Sequence, residues 1–232
     1  AFLKLLRKDF GEEFVKKNNF TLRDLNRRST AIRNFSALLK SCELLKSEHI
    51  NPECSEALEL LQNRIQLDFD AIKNKTDYNA LFNFYQSQLD KYKDRLSHTE
   101  IKSNRFSSVK YGLNKIYTEG RKNLSLSIDY PDTEILHDFR KSTKDLFYAL
   151  RTLTPLWEPV LSGYSKEIKL LSDILGELHD LFELKLYIQS LVDNPNDFTS
   201  VILFIESQSE ALLNQCIALG KKIYAESEDQ FI

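Results

Sequence analysis

Apolar residues recur at three- and four-residue spacing through the long segments of this chain, and the residues that interrupt such a pattern are scarce, with only 6 Gly and 5 Pro among 232 residues. That spacing gathers apolar side chains on one face of a 3.6-residue helix. A sandwich or barrel would need a turn signal every ~8–12 residues, more breakers than this chain supplies. The chain therefore reads as all-helical. Hydrophobic residues make up 42% of it, enough apolar surface for a packed core, which excludes a disordered chain.

Helix boundaries are legible at several points. A short helical tail over 1–8 is followed by a break at Gly11 and a long helix from Glu12 to Lys46. Asn51-Pro52 is a cap followed by proline at the first helical position, predicting a helix to Lys73 through Leu58, Leu61, Ile65 and Phe69. Asp77 caps the next, which ends near Ser97, and another runs from near Ser103 to Leu124. Asp129-Tyr130-Pro131-Asp132 is a turn before a helix that reaches Thr154-Pro155, and Pro155 and Pro159 break the chain again. The following helix carries Ile168, Leu171, Leu175, Leu178 and Phe182. Asp193-Asn194-Pro195-Asn196 separates it from a last helix ending around Glu226.

Two stretches resemble each other. Laying Leu3 to Lys8 on Leu150 to Pro155 puts Lys4 on Arg151 and Phe10 on Trp157; with one residue of slack, Leu25 to Asn34 falls on Leu171 to Asp180, and Arg33 lands on His179. A collinear match over two helices and their connection points to an internal duplication, against the alternative that two amphipathic helix pairs align by chance. The fold expected is a duplicated antiparallel helical bundle with pseudo-twofold related halves, 1–100 and 101–232.

The formal net charge of -2 argues against a polyanion ligand until it is resolved along the chain. Residues 1–46 carry +6, residues 47–100 carry -4, residues 101–151 carry +4 and residues 152–232 carry -8. The field at a site follows local arrangement rather than the sum. Basic helices pairing with acidic neighbours is one explanation of this segregation; a basic binding surface is the other.

The segment from Leu136 to Arg151 sharpens that choice. At about 100° per residue, Leu136, Phe139, Thr143, Leu146, Phe147, Leu150 and Leu153 share one apolar arc. His137, Arg140, Lys141, Lys144, Tyr148 and Arg151 share an adjacent arc about 100° wide, with Asp138 and Asp145 to one side. Like charges three and four residues apart repel by a few tenths of a kcal/mol per pair, so the stripe needs something anionic against it. Phosphate is one candidate, because Arg offers a planar fork of donors, Lys a mobile charge, and His137 a further cation if a bound polyanion raises its pKa. The other is a neighbouring acidic helix carrying Glu177, Asp180 and Glu183.

Other chemistry finds less support. His137-Asp138 and His179-Asp180 are adjacent pairs pointing ~100° apart, poor chelates unless their helices face each other. There is no Gly-rich phosphate loop, no GxSxG and no HExxH, so neither a catalytic residue nor a cofactor is expected. Aromatics sit at core spacing without a stacking platform, which disfavours nucleic acid. His49 and His98 read as caps or surface residues. Cys42, Cys54 and Cys216 are odd in number and form no CxxC, favouring a reducing cytoplasm, and no apolar run approaches the ~20 residues of a membrane span or an export leader.

These residues resemble the CHAD family, the conserved-histidine α-helical domain. His137-Asp138-Phe139-Arg140 with Lys144 and Tyr148 looks like the family's His-x-x-Arg-x-x-x-Lys/Arg helix. Leu175-Gly176-Glu177-Leu178-His179-Asp180-Leu181 is similar to its following Leu-Gly-x-x-x-Asp-Leu helix, and Gly112 to Lys122 to the basic helix before it. Arg27, Arg28 and Arg33 match the corresponding helix of the first half.

The resemblance implies one domain of two halves around a basic groove that binds inorganic polyphosphate in the cytoplasm without catalysis, with association to polyphosphate granules. The binding residues it implies are His137, Arg140, Lys141, Lys144, Tyr148, Arg151, Arg121, Lys122, Lys4, Arg27 and Arg33. It also implies a first-half His-x-x-Arg motif about ten residues upstream of Ala1, so that the first half here is truncated at its amino end. Two alternatives stand beside it: a module docking an acidic partner protein, and a metal-dependent phosphohydrolase using His137 and His179.

Overall fold

A computed structural model describes residues 2–48, 51–99, 106–191, 195–227 and 230–231. These residues form helices without a strand. In chain order they are α1 (Phe2–Leu5), α2 (Arg7–Phe10), α3 (Glu12–Arg27), α4 (Thr30–Lys46), α5 (Pro52–Lys75), α6 (Tyr78–Ser97), α7 (Phe106–Asp129), α8 (Thr133–Leu153), α9 (Glu158–Ser190) and α10 (Thr199–Ile223). Short 3-10 turns cover Thr154–Leu156 and Pro195–Phe198. No helix among the described residues is long and apolar enough to cross a membrane.

The caps act as their side-chain chemistry dictates. Asn51 accepts from the Cys54 amide at 2.8 Å, Asp77 from that of Ala80 at 2.9 Å and Asp132 from that of Ile135 at 2.8 Å, each satisfying an amide the helix leaves unpaired. Gly11 ends α2 with φ of 84°, a left-handed conformation that glycine adopts without strain.

Besides α7, which runs on to Asp129 rather than ending at Leu124, two further boundaries differ from the sequence expectation. The helix expected from Glu12 to Lys46 is interrupted at Arg28 and Ser29, giving α3 and α4. There the Asn26 carbonyl accepts from the Ser29 amide, the Ser29 hydroxyl and the Thr30 hydroxyl, hydrogen bonds that compete with the regular helical ladder. Pro159 does not break the chain but sits in the first turn of α9, where its missing amide costs nothing. Ala1, His49, Ser103, Asp193 and Asn194, invoked above for boundaries or caps, lie outside the described residues.

The chain divides into two compact units that cut across the sequence halves. One comprises Ala1–Glu12, Ser103–Glu183 and Ile205–Ile232. Its core joins Leu5 of α1 to Ile116 and Tyr117 of α7, Phe139, Leu146 and Leu150 of α8, Ile168, Leu171 and Leu175 of α9, and Cys216 of α10. Gly112 is essential to this packing, since a Cβ there would collide with the Leu5 carbonyl. Phe231 stacks on Tyr117 with centroids 3.7 Å apart, and the Tyr117 hydroxyl donates to the Glu226 carbonyl at 3.1 Å.

The other unit comprises Glu13–Lys102 and Leu184–Phe204. Leu38, Cys42 and Leu45 of α4 and Leu58, Leu61, Ile65 and Phe69 of α5 are buried there. The Tyr187 hydroxyl donates to Asp68 at 2.6 Å, and that of Tyr85 on α6 to the Leu25 carbonyl at 3.0 Å. All three cysteines are free and buried, and desolvation pushes the thiols of Cys42 and Cys216 up to about 12.

Candidate functional site

α8 presents the arrangement its periodicity predicts. Leu136, Phe139, Thr143, Leu146, Leu150 and Leu153 are buried, whereas Phe147 is half-buried. On the adjacent arc His137, Arg140 and Lys144 are half-buried and Lys141, Tyr148 and Arg151 exposed. Burying the apolar arc thus fixes the rotation of α8 and keeps the cationic arc at the surface of its own unit.

The inner end of that arc lies against α9. The rings of His137 and His179 are 5.1 Å apart and inclined by 42°. One helical turn on, the Arg140 guanidinium crosses Gly176: a Cβ built on that glycine would lie 3.5 Å from Nη2 and 3.6 Å from Nε. Arg140 Nε and His137 Nδ1 are both buried and make no hydrogen bond among the described residues. Buried polar atoms are normally paired, and each left unpaired costs about 1–3 kcal/mol.

Electrostatics sharpen the picture. Burial, then Lys141, the His179 ring and Arg140, hold the His137 imidazole below its ordinary value, with Asp138 opposing. Burial and then Arg140 and Lys144 lower His179, against Glu183 and Asp180. Burial first, and the neighbouring cations after it, therefore make both histidines resist protonation. Of the acidic residues of α9, Glu183 and Asp180 act on His179, but neither Arg140 nor Arg151 forms an ion pair among the described residues.

The remaining sequence candidates divide into three groups. Arg121, half-buried, and Lys122, exposed, stand on α7, which Asn123 ties to α8 by donating to the Asp138 carbonyl at 3.2 Å and the Ser142 hydroxyl at 3.1 Å. Neither forms an ion pair among the described residues. Lys4 and Lys141 are already engaged: Lys4 meets Asp145 at 2.5 Å and Glu119 at 3.9 Å, and Lys141 meets Asp138 at 2.7 Å. Of the two acids beside the stripe, Asp138 thus holds the stripe's Lys141 and Asp145 holds Lys4 of α1. Arg27 and Arg33 are exposed on α3 and α4 of the other unit, Arg27 paired with Asp24 at 3.2 Å.

Sequence reasoning missed that Gly176 lies beneath Arg140; a Cβ there would stand at ordinary contact distance from the guanidinium, so no close approach demands the glycine. No group of three or more His, Cys, Asp or Glu placed to hold a metal occurs among the described residues. His98 closes α6, its Nδ1 2.8 Å from the Asp94 carbonyl.

Compared with known proteins, the chain matches the family model of the CHAD domain over residues 1–189. No curated protein and no solved structure matches it.

Proposed function

Since this chain belongs to the CHAD domain family, we propose that it binds inorganic polyphosphate, or a comparable phosphate-rich polyanion, without catalysing its turnover. The observation that carries this reading is Arg140: a half-buried guanidinium held across Gly176, with an unpartnered Nε and no carboxylate against it among the described residues. Phosphate oxygens would supply the missing acceptors, and charge-assisted hydrogen bonds from arginine to phosphate are about twice as strong as neutral ones.

The other cations serve the same ligand. Lys144 and Arg151 follow Arg140 along α8, Arg121 and Lys122 extend the surface onto α7, and Tyr148 offers an exposed hydroxyl. His137 joins as a cation once the polyanion offsets the burial and the neighbouring charges that hold its pKa down. Lys4 contributes less, because binding would first break its part-buried ion pair with Asp145, whereas the exposed pair of Lys141 with Asp138 is worth little. The buried, unbridged cysteines suit a reducing cytoplasm as the place where this happens.

Calorimetric titration with long-chain polyphosphate tests the proposal. The Arg140→Glu, Lys144→Glu double variant is expected to lose binding at least a hundredfold while keeping its helical circular dichroism. Unchanged affinity in a folded variant sinks the reading. Capture of an acidic protein that excess polyphosphate fails to displace would point instead to a docking module, and phosphate release with a divalent metal to an enzyme.

A further inference from the structure

The cationic arc of α8 runs roughly 21 Å from His137 to Arg151, at about 1.5 Å per residue. At its Arg151 end, within the same unit, a cavity of about 740 Å3 opens beside the 3-10 turn Thr154–Leu156. Part of its lining is one face of α9. Glu158, Ser162, Ser165, Lys166 and Lys169 line it at spacings of four, three, one and three residues, which stacks them along that face.

Three features set this wall apart. Residues 152–232 hold only five Lys and no Arg against thirteen acids, yet two of the five, Lys166 and Lys169, line the same cavity as Arg151. Neither Lys166 nor Arg151 has an ion pair among the described residues, and Lys169 reaches only Asp173, at 2.6 Å in an exposed pair of the kind worth little. Ser165 is 8% exposed and its hydroxyl makes no hydrogen bond among the described residues, so the wall also contains a buried donor without an acceptor. Glu158 is the one carboxylate in the lining, leaving three cations against one acid.

We propose that this cavity is a terminal-phosphate subsite, where the end of a condensed phosphate chain lodges while its body lies along α8. The inference rests on the polyanion reading above. A terminal phosphate ionises twice near neutrality, as a phosphomonoester does with its second pKa of about 6, whereas each internal unit carries one charge. Three cations and a hydroxyl wall therefore favour the end group over any internal unit. The turn that stops α8 also ends the stripe, so the subsite stands where the chain's path along that helix finishes.

The test compares polyphosphate of one length with free ends and with both ends capped as neutral-tailed phosphoramidates, by calorimetry on the full chain. Capping is expected to weaken binding about tenfold in the wild type, or ~1.4 kcal/mol, and to leave the Lys166→Glu, Lys169→Glu variant unchanged. The milder Lys166→Gln, Lys169→Gln variant repeats the comparison if charge reversal disturbs folding. Equal affinity of capped and free chains for the wild type overturns the subsite while leaving the α8 site standing. Absence of binding by both chains overturns the polyanion reading itself. A capping effect that persists in both lysine variants places the end group elsewhere and also overturns the subsite.

Discussion

His137 and His179 are the residues whose charge is least settled, because burial and the surrounding Arg140, Lys141 and Lys144 act against protonation of one or both. Their folded pKa values lie below the ordinary 6.5. In the window beneath 6.5 the unfolded chain therefore binds more protons than the folded one, so stability is whole above about pH 6.5 and declines as the pH falls through the depressed values. Thermal unfolding at pH 7.5 and 5.5 measures this. The His137→Gln, His179→Gln variant is expected to lose less melting temperature over that interval than the wild type; parallel losses would show that neither imidazole is responsible. Sequence alone placed both histidines on helices but gave no sign of their pKa, which depends on α9 bringing one ring to the other.

Among the helices, the glycines separate close approach from mere tolerance. Gly112 on α7 admits α1, and a methyl group there meets the Leu5 backbone, which cannot swing away as a side chain could. Gly112→Ala is expected to destabilise by about 1–3 kcal/mol, as overpacking does. Gly176→Ala adds a methyl at ordinary contact distance from Arg140, so the gain in helix propensity of up to ~1 kcal/mol is expected to survive. Urea unfolding of the two variants checks the contrast, and equal effects would refute it. Caps and starts at Asn51, Asp77 and Asp132 were legible because they are local chemistry. The break at Arg28 and Ser29 was not, since amphipathic periodicity continues through it and local side-chain hydrogen bonds overrode the pattern.

For the molecule as a whole, a net charge of -2 and a cationic helix face make opposite forecasts. If total charge governed encounter with polyphosphate, added salt would screen repulsion and tighten binding. If the local field of α8 governs, salt screens attraction and binding weakens, the Debye length shrinking from about 10 Å at 0.1 M to about 3 Å at 1 M. Titrations at 50 and 500 mM salt are expected to show a steep loss of affinity, in the direction set by counterion release from other phosphate polymers. Tighter binding at high salt would return the decision to the net charge.

The sequence by itself determined the helical class, most helix limits and the rotation of α8, because periodicity and capping are encoded within a few residues of where they act. It also drew the stripe of His137, Arg140, Lys144 and Arg151. Only the tertiary structure decided which cations are already spent, since Lys4 finds Asp145 across 141 positions of chain, and which meet no carboxylate among the described residues, as Arg140 does over Gly176. It alone also brought Lys166 and Lys169 of the most acidic segment to the cavity that Arg151 lines. Charge is written in the sequence; the partner that neutralises it is set by packing between residues far apart in the chain.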